Sequence, residues 1–349
     1  MKIAIYTIAL NEEQYVEKWF NSAKDADYLL IADTGSTDNS VALAKSLGIN
    51  VVSISIQPWR FDVARNAALA ALPLDIDYCI ALDMDEVLLP GWREELEKSF
   101  KAGATRPRYK YTWSWKEDGS PGLQYGGDKI HTRKNYMWRH PVHEVLGTYG
   151  MDETQHWNDL EIHHYPDSTK SRGQYFPLLA MSVKENPHDD RNAHYYAREL
   201  FFHGRLEEAA EEFKRHLALP SSVWGPERSA SCRYLAQCEP DKTEFWLLQA
   251  NKESVRRENL VALAQLYYEN KEWKKCLSAV QSSLEIKEKP LDYLCEGVAW
   301  GEKPYDLGAI AAYNLGDLEL AKNLGQKAVE FSPNDERLIN NLKHYMGEK

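Results

Sequence analysis

Short apolar stretches occupy Lys2–Ile8, Tyr28–Ala32, Asn50–Ile56 and Tyr78–Leu82, and apolar positions fall at helical spacing in Glu12–Ala23, Asp38–Leu47 and Asp62–Leu72. This alternation predicts βαβ units, in which a mostly parallel sheet carries helices on its faces. Ser36, Thr37 or Asp38 is placed to cap the second helix, and Gly48 lies just past its end. After Gly91 one further helix, Trp92–Ala102, precedes an aromatic alternation. Tyr109, Tyr111, Trp113 and Trp115 share one parity, and Arg108, Lys110, Thr112 and Ser114 the other. Period-two spacing predicts a half-covered strand. Shorter strands are expected at Lys129–Arg133, His143–Tyr149 and Leu160–His164.

From about Ser171 the strand signals stop and helical hairpins recur. Their turns lie around Gly204–Ala209, Gln237–Asp241, Asn270–Lys275 and Gly316–Ala321. The first three fall near a period of about 34 residues, the spacing of tetratricopeptide-type repeats, and an insertion around Pro290–Pro304 lengthens the last interval. Such hairpins bury their faces only against neighbours, so several are expected together. The pattern therefore predicts an α/β domain over residues 1–170 followed by an all-α repeat domain over 171–349, through which a protein partner or a second copy could dock.

Composition narrows the function classes. A chain of 349 residues with 43% hydrophobic and 27% charged positions is globular, and its length favours two domains. The formal net charge of −11, from 53 acidic against 42 basic residues, disfavours a phosphate-backbone partner, so no nucleic acid is expected. Met1-Lys2 runs straight into Ile-Ala-Ile-Tyr, too short for a signal segment, and no stretch has the length of a membrane span; a cytoplasmic protein is expected. The five cysteines, Cys79, Cys232, Cys238, Cys276 and Cys295, form no CxxC, and neither disulfide nor zinc is expected from them.

The candidate chemistry sits at strand ends. Asp83-Met-Asp85-Glu86 leaves the end of the Tyr78–Leu82 strand, where ligands bind in open α/β sheets. Carboxylates so crowded repel, and a hard divalent cation, Mg²⁺ or Mn²⁺, would relieve them while meeting diphosphate oxygens. Asp33-Thr-Gly35-Ser-Thr-Asp38 follows the second strand. Gly35 permits a tight turn there, and Asp33 can accept from a base or ribose, a role that helix capping by Ser36 to Asp38 leaves open. Asn11-Glu12-Glu13 ends the first strand, so three strand ends aim polar residues at one rim.

In order and spacing these segments, with Phe61-Asp-Val-Ala-Arg65-Asn66 between them, resemble a family 2-type glycosyltransferase of the GT-A fold over roughly residues 1–170. The resemblance implies a Rossmann-like, mostly parallel mixed sheet and a nucleotide-sugar donor. Asp33 would then read the base, with Ile8, Asn11 and Glu13 lining its pocket, Arg65 would approach the nucleotide, and Asp83 and Asp85 would hold ribose and metal. Many members carry two acids where this chain has Asp33-Thr34, and the lost carboxylate favours uracil over guanine, hence a UDP-sugar. Trp138-Arg-His-Pro-Val-His143-Glu144 resembles a segment of the branch that carries tetratricopeptide repeats. Inverting transfer needs a base opposite the leaving diphosphate, and Glu144 is the candidate. That branch also places a His-Tyr pair at the last strand, which makes His164 the proposed third metal ligand, although strand parity leaves His163 open. Trp113, Trp115 and Trp138, with His143, are candidates for the acceptor side. A nucleotidyltransferase would want a glycine-rich basic loop near the first strand, and Ile8–Glu13 is neither. The remaining alternative is a repeat scaffold behind a degenerate donor-binding domain.

Overall fold

The computed structural model describes residues 1–167 and 173–347, and the expected domain boundary at 170/171 lies outside the described residues. The chain divides into two compact units, Met1–Ser182 with Leu291–Tyr293, and Val183–Pro290 with Leu294–Lys349. The architecture is α/β followed by all-α, as the two periodicities imply.

In chain order the α/β region runs β1 (Ile3–Ala9), α1 (Glu13–Ala23), β2 (Tyr28–Asp33), α2 (Ser40–Ser46), β3 (Asn50–Ser53), α3 (Phe61–Ala70), β4 (Tyr78–Ala81), β5 (Glu86–Leu88), α4 (Trp92–Lys101), β6 (Arg106–Thr112), β7 (Gln124–Gly127), β8 (Ile130–Thr132), β9 (Tyr136–Arg139), β10 (Val145–Thr148) and β11 (Gln155–His164). The main sheet has the order β3-β2-β1-β4-β8, parallel except for β8. Because β2, β1 and β4 are adjacent and parallel, their carboxyl ends share one rim. Ile3 and Ile5 pack with Trp19 on one face, while Ala4 and Tyr6 pack with Ala68 and Trp138 on the other. Burial on both faces explains the unbroken apolar runs of these strands. A second sheet, β5-β11-β6-β7, pairs β11 with β6 in parallel and is otherwise antiparallel; β9 and β10 form a separate antiparallel pair.

Several local expectations are corrected. The third strand stops at Ser53, short of Ile56. Helix α2 begins at Ser40 with Asn39 in the cap position and no side-chain cap there; Asp38 Oδ1 instead accepts from Ser40 N at 3.0 Å and Ser40 Oγ at 2.6 Å. The aromatic strand ends at Thr112, so Tyr109 and Tyr111 are core residues while Trp113 and Trp115 lie beyond it. Strands β5, β7 and β9 were not expected, since three or four residues are too few for a periodic signal.

The remaining described residues form helices α5 (Tyr175–Glu185), α6 (Asp190–Phe202), α7 (Leu206–Ala218), α8 (Gly225–Cys238), α9 (Thr243–Glu253), α10 (Arg257–Glu269), α11 (Trp273–Glu285), α12 (Lys303–Asn314), α13 (Leu318–Phe331) and α14 (Glu336–Met346). The expected turns join α6 to α7, α8 to α9, α10 to α11 and α12 to α13. Gly204, Lys271 and Gly316 take left-handed φ values of 72°, 57° and 84° at equivalent positions, the usual way to end a helix before reversing. Gly308 lets α12 approach its neighbours, since a Cβ there would lie 2.8 Å from Val280 Cγ1. The insertion after α11 holds one 3₁₀ turn, Gly297–Trp300. All five cysteines are free thiols. Among the described residues no helix is long and apolar enough to cross a membrane.

Candidate active site

At the ends of β1 and β2, side chains brace a loop. Gly35 has φ 115°, and Asp33 Oδ2 accepts from Gly35 N at 3.1 Å while Oδ1 accepts from Ser36 N at 3.2 Å. Asn11, itself left-handed at φ 55°, accepts through Oδ1 from Thr37 N at 2.8 Å, and its backbone N–H donates to Ser36 Oγ. Glu13 Oε2 accepts from Asn39 N at 2.8 Å. Asp33 therefore also supports the turn, because two amides of that turn rest on its carboxylate. A carboxylate has about four acceptor sites, so these bonds leave capacity for a ligand. Ile8 is half-buried at the end of β1, against the core that holds Tyr6.

At the end of β4 the charges form a chain. Asp83 Oδ1 pairs with Arg65 Nη2 at 2.7 Å, and Oδ2 with Lys129 Nζ at 2.6 Å. Lys129 also meets Glu86 Oε1 at 2.6 Å, which accepts from Tyr111 Oη at 2.6 Å. From the other side Arg65 Nε pairs with Glu144. Burial opposes the Asp83 charge, yet Arg65 and Lys129 outweigh it and hold the carboxyl well below its ordinary range. Burial likewise disfavours the Arg65 cation and is outweighed by Asp83 and Glu144. Arg65 is 6% exposed, and its Nη1 is a buried atom with no hydrogen-bond partner among the described residues. This chain corrects the argument from repulsion: Asp83 and Glu86 already have cations from the protein and do not themselves require a metal.

Asp85 is different. Its Oδ2 stands 3.3 Å from His164 Nε2, and His164 Nδ1 lies 3.0 Å from the Trp113 carbonyl oxygen. If Nδ1–H donates to that carbonyl, Nε2 faces Asp85, donating to it when protonated and offering its lone pair to a cation when not, the arrangement that usually orients a ligating histidine. Burial works to lower the His164 pKa, but the hydrogen bond and charge of Asp85 raise it. The register brings this about: in the β5–β11 pair His164 lies opposite Glu86, and Tyr165 N donates to Asp85 O at 2.8 Å. His163 points elsewhere, with Nε2 3.3 Å from Glu161. An imidazole nitrogen and a carboxylate oxygen at this separation suit one Mn²⁺ or Mg²⁺, with Mn²⁺ the better match to nitrogen.

The aromatic candidates separate. Trp138 is 3% exposed, donates Nε1–H to Tyr6 Oη at 2.8 Å and lies under the Arg65 guanidinium, so its ring is core and offers no face to an acceptor. Trp113 stacks on His164 with centroids 4.4 Å apart. Trp115 donates to the His164 carbonyl at 2.9 Å and stacks on Tyr165 at 5.4 Å, nearer the surface. His143 is left-handed at φ 50°, and its ring meets that of Tyr175 edge-on at 5.6 Å.

Residues 4–151 match the family model Glycosyl transferase family 2. The N-terminal domain is family 2-like. An uncharacterized glycosyltransferase of Rickettsia conorii is 34% identical over 109 residues, 31% of this chain and 37% of that protein. A lipopolysaccharide core biosynthesis glycosyltransferase of Rhizobium meliloti is 30% identical over 105 residues, 29% of this chain and 38% of that protein. The chain thus spans less than two fifths of the length of either relative. Among solved structures, the tetratricopeptide-repeat protein YrrB aligns with 48% of this chain and 82% of its own at 15% identity and a TM-score of 0.39.

Within the family 2-like domain, sequence reasoning missed Lys129, Tyr111 and Tyr165. Lys129 lies just past β7 with no local motif, and the pairing of β8 with β4 brings it to Asp83. Glu86 was quoted with the acidic cluster, but its buried position under Tyr111 and Lys129 depends on β5.

Proposed function

We propose that the family 2-like domain transfers a sugar from a nucleotide diphosphate donor, a UDP-sugar, to an acceptor hydroxyl with inversion. The observation that carries this is the shared rim of β2, β1 and β4, where Asp33 and Asn11 brace one loop while Asp83 meets Arg65 and Asp85 meets His164. In this reading Asp33 accepts from the base with a lone pair the loop leaves over, and Ile8, Asn11 and Glu13 wall the base pocket. Asp83 accepts from the ribose while Lys129 and Arg65 keep it ionised. The Nη1 of Arg65 has a proton to give a diphosphate oxygen. Asp85 and His164 would hold Mn²⁺ or Mg²⁺, which when bound compensates the charge of the diphosphate.

Glu144 takes the proton of the acceptor hydroxyl. The freed oxygen bonds to the anomeric carbon as the bond from that carbon to the diphosphate breaks. Arg65 grips Glu144 and Asp83 with one guanidinium, so donor site and base share a support. Trp115 and Tyr165 are the aromatic surface left for an acceptor once Trp138 is assigned to the core. The test is a panel of nucleotide sugars scored for metal-dependent binding and hydrolysis on the intact chain, repeated with Asp85→Asn. Tightest binding of a UDP-sugar, lost in the variant, supports the reading; a chain that neither binds nor cleaves any nucleotide sugar would favour the scaffold alternative.

A further inference from the structure

The helical repeats contain a buried polar cluster that the proposed sugar transfer does not use. Asp190 opens α6, His216 lies in the last turn of α7, and Glu227 lies in the first turn of α8. In consecutive antiparallel helices these three ends meet, and one donor atom from each residue falls within 4.8 Å of the others. His216 is 0% exposed and Glu227 3%. We propose that Asp190, His216 and Glu227 bind a divalent transition-metal ion that ties these three helices together.

Four observations support the site. The separation of His216 Nε2 from Glu227 Oε1, 3.5 Å, is close to that of two donors sharing one ion with bonds of about 2.0–2.2 Å in a tetrahedral set. The opposite ring nitrogen, Nδ1, is 2.9 Å from Ser231 Oγ, which fixes the ring as an outer-shell partner fixes a ligating histidine. Ser222 Oγ, 3.0 Å from Nε2, adds a hydroxyl beside the set. Finally, His194 Nδ1 shares the same Ser231 hydroxyl at 2.8 Å, while its Nε2 is buried with no hydrogen-bond partner among the described residues. The two carboxylates sit at helix N-termini, where the dipoles favour anions. One nitrogen and two oxygens with a position left open suit Zn²⁺ or Mn²⁺. The expectation of no zinc rested on cysteine spacing and does not reach a set without cysteine.

The test uses the full chain carrying Asp85→Asn, which removes the other proposed metal pair, stripped with chelator and titrated with Zn²⁺ by calorimetry. The expected result is one equivalent bound, with a thermal midpoint that rises with Zn²⁺ and ignores UDP. Ser231→Ala, which leaves the donors in place, should weaken Zn²⁺ by about tenfold or more. Asp190→Asn, a half-buried change at a helix start whose fold is checked by circular dichroism, should weaken it further, as should Glu227→Gln. If the Asp85→Asn chain binds no Zn²⁺, or binds it equally with Asp190→Asn and Glu227→Gln, the cluster is a hydrogen-bonded core and the proposal fails.

Discussion

Glu144, Asp33 and His131 show how differently three polar residues of one domain use their surroundings. Glu144→Gln keeps the acceptor that Arg65 Nε meets but removes the proton acceptor, so donor affinity should persist while transfer falls by about two to four orders of magnitude. Near-native turnover in that variant would put the base elsewhere, with Asp152 or His143 next to examine. Asp33→Ala should lower donor affinity and also cost about 1 kcal/mol of stability, since the Gly35 and Ser36 amides lose their acceptor. Binding and melting measured on one sample check both parts. His131 is buried between Tyr6 Oη at 3.2 Å and the Thr132 carbonyl at 2.7 Å, and burial pushes its pKa down to about 3 from an ordinary 6.5. A folded-state value below the unfolded one adds stability above the unfolded pKa, lost as pH falls toward the folded one. The native chain should therefore lose stability between about pH 6.5 and pH 3 more steeply than His131→Gln; equal slopes in acid denaturation would contradict this.

At the scale of elements, β1, β2 and β4 were legible because burial on both faces writes them as apolar runs, and α1 to α4 because one face of each is apolar. With the strands came the rim, since three parallel neighbours fix where Asn11, Asp33 and Asp83 emerge. Glu86–Leu88, Gln124–Gly127 and Tyr136–Arg139 are too short to show a period, and their positions come from pairing partners far along the chain. With them were lost the placement of Lys129 between two carboxylates and the burial of Trp138, which sequence offered as a candidate for the acceptor side. The β5–β11 register also puts His164, and not His163, beside Asp85, a placement that alternation alone left open. The same geometry predicts the effect of Lys129→Met, which leaves Asp83 and Glu86 without their shared cation. Removing one partner of a buried pair costs about 3–5 kcal/mol, and the 23% exposure of Lys129 should reduce this to about 2 kcal/mol. Chemical denaturation reads the loss, and an unchanged midpoint would mean that solvent already screens the pair.

For the molecule as a whole, the change from period-two and βαβ patterning to hairpins near one repeat length was enough to separate an α/β unit from a helical one. Sequence could not reach the contents of the repeats' interior: Asp190, His216 and Glu227 are 26 and 11 residues apart along the chain and match no motif spacing. The account of the first unit rests on a donor diphosphate whose charge is met by Arg65 and by a cation at Asp85 and His164. The most direct test is UDP affinity of the intact chain, measured with Mn²⁺ and with chelator, for the native protein, Asp85→Asn and His164→Ala. The account predicts tight binding by the native chain only when Mn²⁺ is present, and weak binding by both variants. UDP binding that ignores the chelator, or that survives both substitutions unchanged, would contradict it.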